Sequence, residues 1–595
     1  MKQMTRLPEL PNSIFAFAVV IIIVLSTTVL SKTLRAAEPS SGTAQVSEDS
    51  LHLRINVTLE ASLRGERVAS SASDAEFTRR IYLDLVGRIP SISETRNVLA
   101  DKSSNKRTAL VDHLLASPEH ARRMHELFHT ILMERRAEDL HWTNYLRSSF
   151  LANRGWDKMV GDILTPDMDA TESQGAAFFI TSRLTKEGAM APVDVPGLTR
   201  DVGRLLAGVD LQCAQCHDHI NIEDYRQQDF QGLHMVFENI EMRRDSKFPA
   251  VTEKLVSQPK EYVSVFTQEK ATTGVAVPGG PTIDVIKYEP GEEYLVPPDK
   301  KNRLPGIPKF SPLRELAKQL VSADNRYFAR NISNRLWFVM MGRGLVEPLD
   351  LHHSDNPPTH PELLDLLAED LAKHNFDLRY FIRELALTDV YQRTSTSTDG
   401  VSSKRYAVAS EKRLSAEQLF WSVMVATDEL SRVRHELSPN GGNMTKPDVT
   451  KPDVETSPSD EIRPAQITDD EQLVNEQKSL DDLRKLFLKA FANPPKEPEI
   501  EFQPTVKAAL FLMHDESILK LIRQRKGNAI EEVSQIQDDE KLVDELFMRF
   551  LSRPPTDADL QDMKQHLKNR TDDRKTALWE IAWAMLSSTE FCVNH

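Results

Sequence analysis

From about Leu51 onward, apolar residues recur every three or four positions, the period of an amphipathic helix, in one run after another. Phe77, Ile81 and Leu85 share a face of one such run, with Asp74 placed to cap it and Gly87-Arg88-Ile89-Pro90 to stop it. Ser91 with Glu94 makes a capping box for the next helix, and residues 106–115 form another. Ser117-Pro118-Glu119 then opens a longer helix through Met124 and Phe128, and amphipathic runs extend to about Met159. A loop-like stretch with Pro166, Gly175 and Pro192 leads to a helix near 198–206, and another helical pattern covers 223–237.

Between about 251 and 308 the period changes. Prolines and glycines become frequent, and short alternating runs at 262–266 and 282–288 read as strands. Helical patterns return at 313–321, 327–341, 362–373, 378–387 and 415–427. A polar stretch at about 437–470, with a tandem TKPDV and almost no large apolar residues, reads as disordered, and helices resume near Leu473. The expected fold is mainly α: a helical lobe at 50–250, a short β-rich or extended connector at 251–310, and a second helical lobe at 311–595.

The two ends of the chain echo each other. Arg88-Ile89-Pro90-Ser91-Ile92-Ser93-Glu94 resembles Arg553-Pro554-Pro555-Thr556-Asp557-Ala558-Asp559. Each is followed by a basic-Thr-Ala-Leu string, Arg107 to Leu110 and Lys575 to Leu578, and then by Ser117-Pro118-Glu119 or Ser588-Thr589-Glu590. The shared content is a helix stop, a hydroxyl cap and a carboxylate three residues on, which is either common helix punctuation or a duplication.

The first residues bear on compartment. Lys2 and Arg6 precede an uncharged apolar run at 14–30, with Ala36 and Ala37 beyond it, so residues 1–37 read as a signal peptide or an uncleaved signal anchor. The remainder would then face an oxidising compartment, the periplasm or cell envelope, and an uncleaved segment would anchor it to the cytoplasmic membrane. A net charge of −15, with no basic patch interleaved with aromatics, argues against a nucleic-acid partner.

Only three cysteines are present, and two of them lie in Cys213-Ala214-Gln215-Cys216-His217-Asp218-His219. C-x-x-C-H is the attachment spacing of c-type haem: two thiols add across the vinyl groups of one porphyrin and His217 becomes an axial ligand. Met235, His234 or Met242 would supply the opposite ligand. The same residues allow a second reading, in which Cys213, Cys216, His217 and His219 form a tetrahedral site for zinc or iron. A reversible disulfide or inert cysteines form a third. Cys592 reads as a small apolar side chain.

Two weaker groupings are His352, His353, Asp355 and His360 in a proline-rich loop, and Arg330, Asn331, Asn334 and Arg335 along one helix. Helix capping and interhelical packing explain them more simply than metal or anion binding. No G-x-S-x-G, H-E-x-x-H or phosphate-loop run occurs, so the common hydrolase and nucleotide-binding classes have no foothold.

The string from Arg79 to Pro90, with the CxxCHDH block downstream, resembles planctomycete-type exported cytochrome-like proteins of unknown function, in which a DUF1549 region precedes a DUF1553 region. Asn325 to Asn331, Asn334 to Trp337, Gly342 to Pro348 and Asn356 to Leu364 are similar to the second region. The resemblance implies export, a haem or metal site at CxxCH and no established reaction. Ile220 stands where the family has proline, and the separate N-terminal cytochrome module of many relatives is absent. The leading expectation is an exported haem-c-type redox or electron-transfer protein with an unknown redox partner. The alternative is a metal-stapled, non-catalytic helical scaffold that binds partners at the cell surface. Whether the chain is an enzyme, and on what substrate, is not legible in the sequence.

Overall fold

The computed structural model describes residues 50–595 except 168–169, 186–192, 244, 303, 397–404, 438–463, 499–505 and 571–572. The expected signal or anchor at 1–37 and most of the stretch expected to be disordered lie outside the described residues. The fold is mainly α, and among the described residues the strands form only two-stranded pairs. No helix among the described residues is long and apolar enough to cross a membrane.

The helix Asp74–Val86 organises the rest. Its cap is Ser73, whose hydroxyl accepts from the Glu76 amide, rather than Asp74 as the sequence pattern suggested. Asp74 instead pairs with Arg107 and Lys106. Gly87 ends the helix at φ 75°, and a Cβ there would lie 2.8 Å from Arg123 Cδ, so both conformation and space require glycine. Phe77, Ile81 and Leu85 pack into a first apolar core built from residues 51–406. Leu83 and Ile89 pack into a second core, otherwise drawn from residues 414–591. With cores on both sides, the polar residues of this helix are buried as well.

Those polar residues bond chiefly to distant chain. Arg79 donates to the carbonyls of Phe550, Glu590 and Phe591 at 3.0–3.2 Å. Arg80 donates to the carbonyls of Tyr391, Arg393 and His595 and pairs with Glu76. Asp84 accepts from Lys412 Nζ at 2.7 Å, Tyr391 Oη at 2.8 Å and Asn594 Nδ2 at 2.8 Å. Lys412–Arg413 and Val593–Asn594 form an antiparallel pair, which fastens the C-terminus against this helix.

The strands of the 240–308 region come as three hairpin-like pairs: Ile240–Met242 with Val251–Glu253, Lys260–Val263 with Lys270–Thr273, and Tyr294–Val296 with Ile307–Pro308. The strand expected at 282–288 does not form. Ile283 makes one bridge to Val275 and Ile286 is exposed, because an alternating run with no partner strand cannot satisfy its backbone.

The echo between the two ends is geometric. Arg88 pairs with Glu94 at 2.8 Å and Glu119 at 2.6 Å, and stands over the Tyr82 ring. Arg553 pairs with Asp559 at 2.9 Å and Glu590 at 2.5 Å, and stands over the Phe547 ring. Ser91 and Thr556 both make capping boxes. Lys106 pairs with Asp74 at 2.5 Å as Arg574 pairs with Asp539 at 2.8 Å. A shared cap alone would not reproduce these tertiary pairs, so the echo extends from helix punctuation to tertiary geometry.

The two arginines differ in burial, and this generates a prediction. Arg88 is 5% exposed, whereas the Arg553 side chain is 27% exposed. Removing Arg88 takes the shared guanidinium from Glu94 and Glu119 and leaves the largely buried Glu119 with the longer contacts to Arg434 at 3.2 Å and Arg122 at 3.8 Å. Arg88→Met should therefore cost about 3 kcal/mol and Arg553→Met about 1 kcal/mol in urea denaturation. Equal losses would show that burial does not set the difference.

Candidate functional site

The CxxCH segment follows a helix that changes pitch. Asp194 caps the helix Val195–Val202, which continues as a π-turn at Gly203–Ala207 and closes on Gly208 at φ 71°. A Cβ on Gly208 would lie 2.7 Å from His352 Cδ2, so glycine is needed for the close approach of the two segments. Val209 then bridges to Leu351, and Leu211 is fully buried.

Cys213–Gln215 is one 3₁₀ turn with Ala214 buried beneath it. The Cys216 amide bonds back to the Cys213 carbonyl at 3.4 Å, so the two cysteines stand one 3₁₀ turn apart. Both are free thiols and both are exposed. The turn is fixed from below: Gln215 accepts at its side-chain oxygen from Arg200 at 2.8 Å, and its carbonyl accepts from Gln231 at 2.9 Å. The Cys216 carbonyl accepts from the Val265 amide at 3.1 Å, which brings the 260–273 hairpin alongside.

The two histidines are held in opposite tautomers. His217 Nδ1 lies 2.6 Å from the Asp218 carbonyl oxygen, which can only accept, so Nδ1 carries the proton and Nε2 keeps its lone pair. Its ring packs on Phe266 with centroids 4.2 Å apart. His219 Nδ1 accepts from the amides of Asn221 and Ile222 at 3.2 and 3.0 Å, so the proton of the neutral ring sits on Nε2. A metal-binding imidazole presents one lone pair to the metal while its other nitrogen donates. His217 has that arrangement. His219 is engaged as a local cap, and turning its lone pair to Nε2 would point Nδ1–H at two donors.

Asp218 performs a third task. Its Oδ1 accepts from the Gln227 amide at 2.8 Å, placing a carboxylate at the start of the helix Gln227–Glu238, where Arg226 makes no side-chain cap. Behind it, burial pushes the Asp229 carboxyl up to about 6, with nearby Asp218 adding to the rise. Around the thiols stand exposed apolar side chains: Ile220 at 74%, Phe266 at 64%, and Val263 and Val265.

The other candidates are placed as follows. Met235 lies on the buried face of Gln227–Glu238, 1% exposed. His234 stacks on Phe230 and pairs with Glu238, and Met242 ends the strand Ile240–Met242. His352 is buried behind Gly208, and burial lowers its pKa to about 3. His360 bonds Ser62 instead of joining it. Arg330 pairs with Asp365, Asn331 bonds the Leu205 carbonyl, Asn334 closes the loop at Leu345 and Val346, and Arg335 pairs with Asp350. These four make packing contacts, as the simpler reading had it. Among the described residues, no three His, Cys, Asp or Glu side chains converge as a ready metal cluster. The hairpin that supplies Phe266 could not be placed from sequence, since nothing local links residue 266 to 217.

Burial also separates the three cysteines chemically. Burial pushes the Cys592 thiol up to about 11. In chain prepared without haem, iodoacetamide should label Cys213 and Cys216 in the native state and Cys592 only after unfolding, read by peptide mass spectrometry. Equal labelling of all three would contradict the placement of the turn.

Residues 54–242 match PSCyt2, a protein of unknown function (DUF1549), and residues 314–567 match PSD1, a protein of unknown function (DUF1553). No curated protein and no solved structure matches the chain.

Proposed function

We propose that this chain, which belongs to the proteins carrying the DUF1549 and DUF1553 regions in tandem, is an exported redox protein of the haem-c type. The observation that carries the reading is the pairing of two exposed thiols one turn apart with a following histidine whose Nε2 lone pair is left free. Cys213 and Cys216 would anchor the porphyrin by thioether bonds, each S–H adding across one vinyl group, and His217 would be the axial ligand. Bound haem would supply one-electron transfer.

The chain's own residues prepare that position. The Asp218 carbonyl holds the His217 proton on Nδ1 and so fixes the ring's tautomer. Arg200 and Gln231 hold the turn from below, and Ile220, Val263, Val265 and Phe266 give an apolar surround that favours a porphyrin edge over water. The same exposed rim would receive a redox partner protein in the periplasm or cell envelope. A zinc or iron staple needs four donors on one point, and the cap made by His219 works against its serving as the fourth.

The test is a visible spectrum with a pyridine haemochrome assay and metal analysis, on chain produced with haem-attachment machinery. The expected result is a c-type spectrum that disappears in Cys213→Ala/Cys216→Ala, is perturbed in His217→Ala and survives in His219→Ala. A colourless protein with stoichiometric zinc, lost in His219→Ala, would overturn the proposal in favour of the staple.

A further inference from the structure

Where the two cores meet lies a cavity of about 450 Å³, separate from the CxxCH turn. Its floor follows one face of the helix Pro118–Met133 and the residue that caps it: Arg123, Glu126, Thr130 and Glu134 succeed one another at helical spacing. Exposed Glu411 and Arg413 stand at its rim. The size falls within the range of small-molecule sites.

Three features of the floor are unusual for a merely structural void. Arg123 is 6% exposed, its Nε has no hydrogen-bond partner, and it makes no hydrogen bond or ion pair among the described residues. Asp84, Glu126 and Glu417 act on it only through space. Glu126 is 5% exposed; its Oε1 accepts from Trp421 Nε1 at 2.9 Å while Oε2 has no partner. Glu134 and Arg135 adopt φ of 46° and 57°, successive left-handed conformations in non-glycine residues. This bend turns Glu134 into the cavity, opposite Arg204 at 2.7 Å.

A desolvated guanidinium without a partner is costly, and its planar fork matches a carboxylate. One helical turn away, the unpaired Oε2 of Glu126 is left to accept from a donor. We propose that this cavity is a binding site for a small hydroxy- or amino-carboxylic acid, its carboxylate held by Arg123 and its neighbouring hydroxyl or ammonium group by Glu126. Burial raises the Glu126 pKa, in keeping with a carboxyl poised to share a proton with such a group. The inference does not depend on whether the CxxCH turn carries haem.

Calorimetric titration of the full chain with malate, gluconate and serine tests it, with acetate, glucose and sulfate as probes that each lack half of the chemistry. At least one of the first three should bind saturably and about tenfold more tightly than every one of the second three. Arg123→Met should abolish that binding while melting at or above the wild-type temperature, because it removes an unpaired buried charge. Glu126→Gln should weaken it. Absence of saturable binding by malate, gluconate and serine, equal binding of acetate or sulfate, or unchanged binding by Arg123→Met would each overturn the proposal and leave a water-filled void.

Discussion

Two guanidinium groups and a carboxylate buried along the helix Asp74–Val86 set the constraint on which the rest of this structure depends. Taking such charges out of water costs several kcal/mol each unless their hydrogen-bonding positions are filled. Here most are filled by backbone and side chains remote in the chain: Phe550, Glu590 and Phe591 for Arg79, whose Nε alone stays unpaired, His595 for Arg80, and Lys412 and Asn594 for Asp84. The helix therefore acts as a polar weld between two apolar cores. The echoed ion-pair geometry lies on either side of it, with Arg88 just beyond its C-terminal end and Arg553 just beyond the helix Asp539–Phe550.

This arrangement separates rigidity from chemistry. The interior fixes long-range geometry, and a polar cavity of about 450 Å³ lies at the seam, where complete apolar packing is hardest to achieve. The CxxCH turn lies elsewhere and is held by few but directed bonds: Arg200 and Gln231 below, the 260–273 hairpin beside it, and Asp218 onto the next helix. A turn built in this way presents its thiols and the His217 lone pair in a set geometry, as covalent attachment of a planar cofactor requires.

Much of the helical framework was legible because local rules and tertiary structure agree. The Ser91–Glu94 box, the Ser117 cap and the long apolar face through Met124 and Phe128 all appear where periodicity puts them. Other features depend on partners remote in sequence. Nothing local marks Arg79, Arg80 and Asp84 as buried, because the groups that satisfy most of their bonds lie over 300 residues away. Asp74 looks like a cap, but Arg107 recruits its carboxylate and Ser73 takes the role. In CxxCHDH the residue types were legible, but the opposite tautomers of His217 and His219 were not, since they follow from which backbone groups the folded turn brings near each ring.

Native-state hydrogen exchange on the full chain, read by peptide mass spectrometry across a denaturant series, tests the central constraint most directly. If buried polar residues weld the two cores, amides of Asp74–Val86, Ala416–Ala426 and Asp539–Phe550 belong to one slow unit and are released together. If peptides from 414–595 opened at much lower denaturant while Asp74–Val86 stayed protected, the helix would be packed against the C-terminal half without holding it, and the account would be wrong.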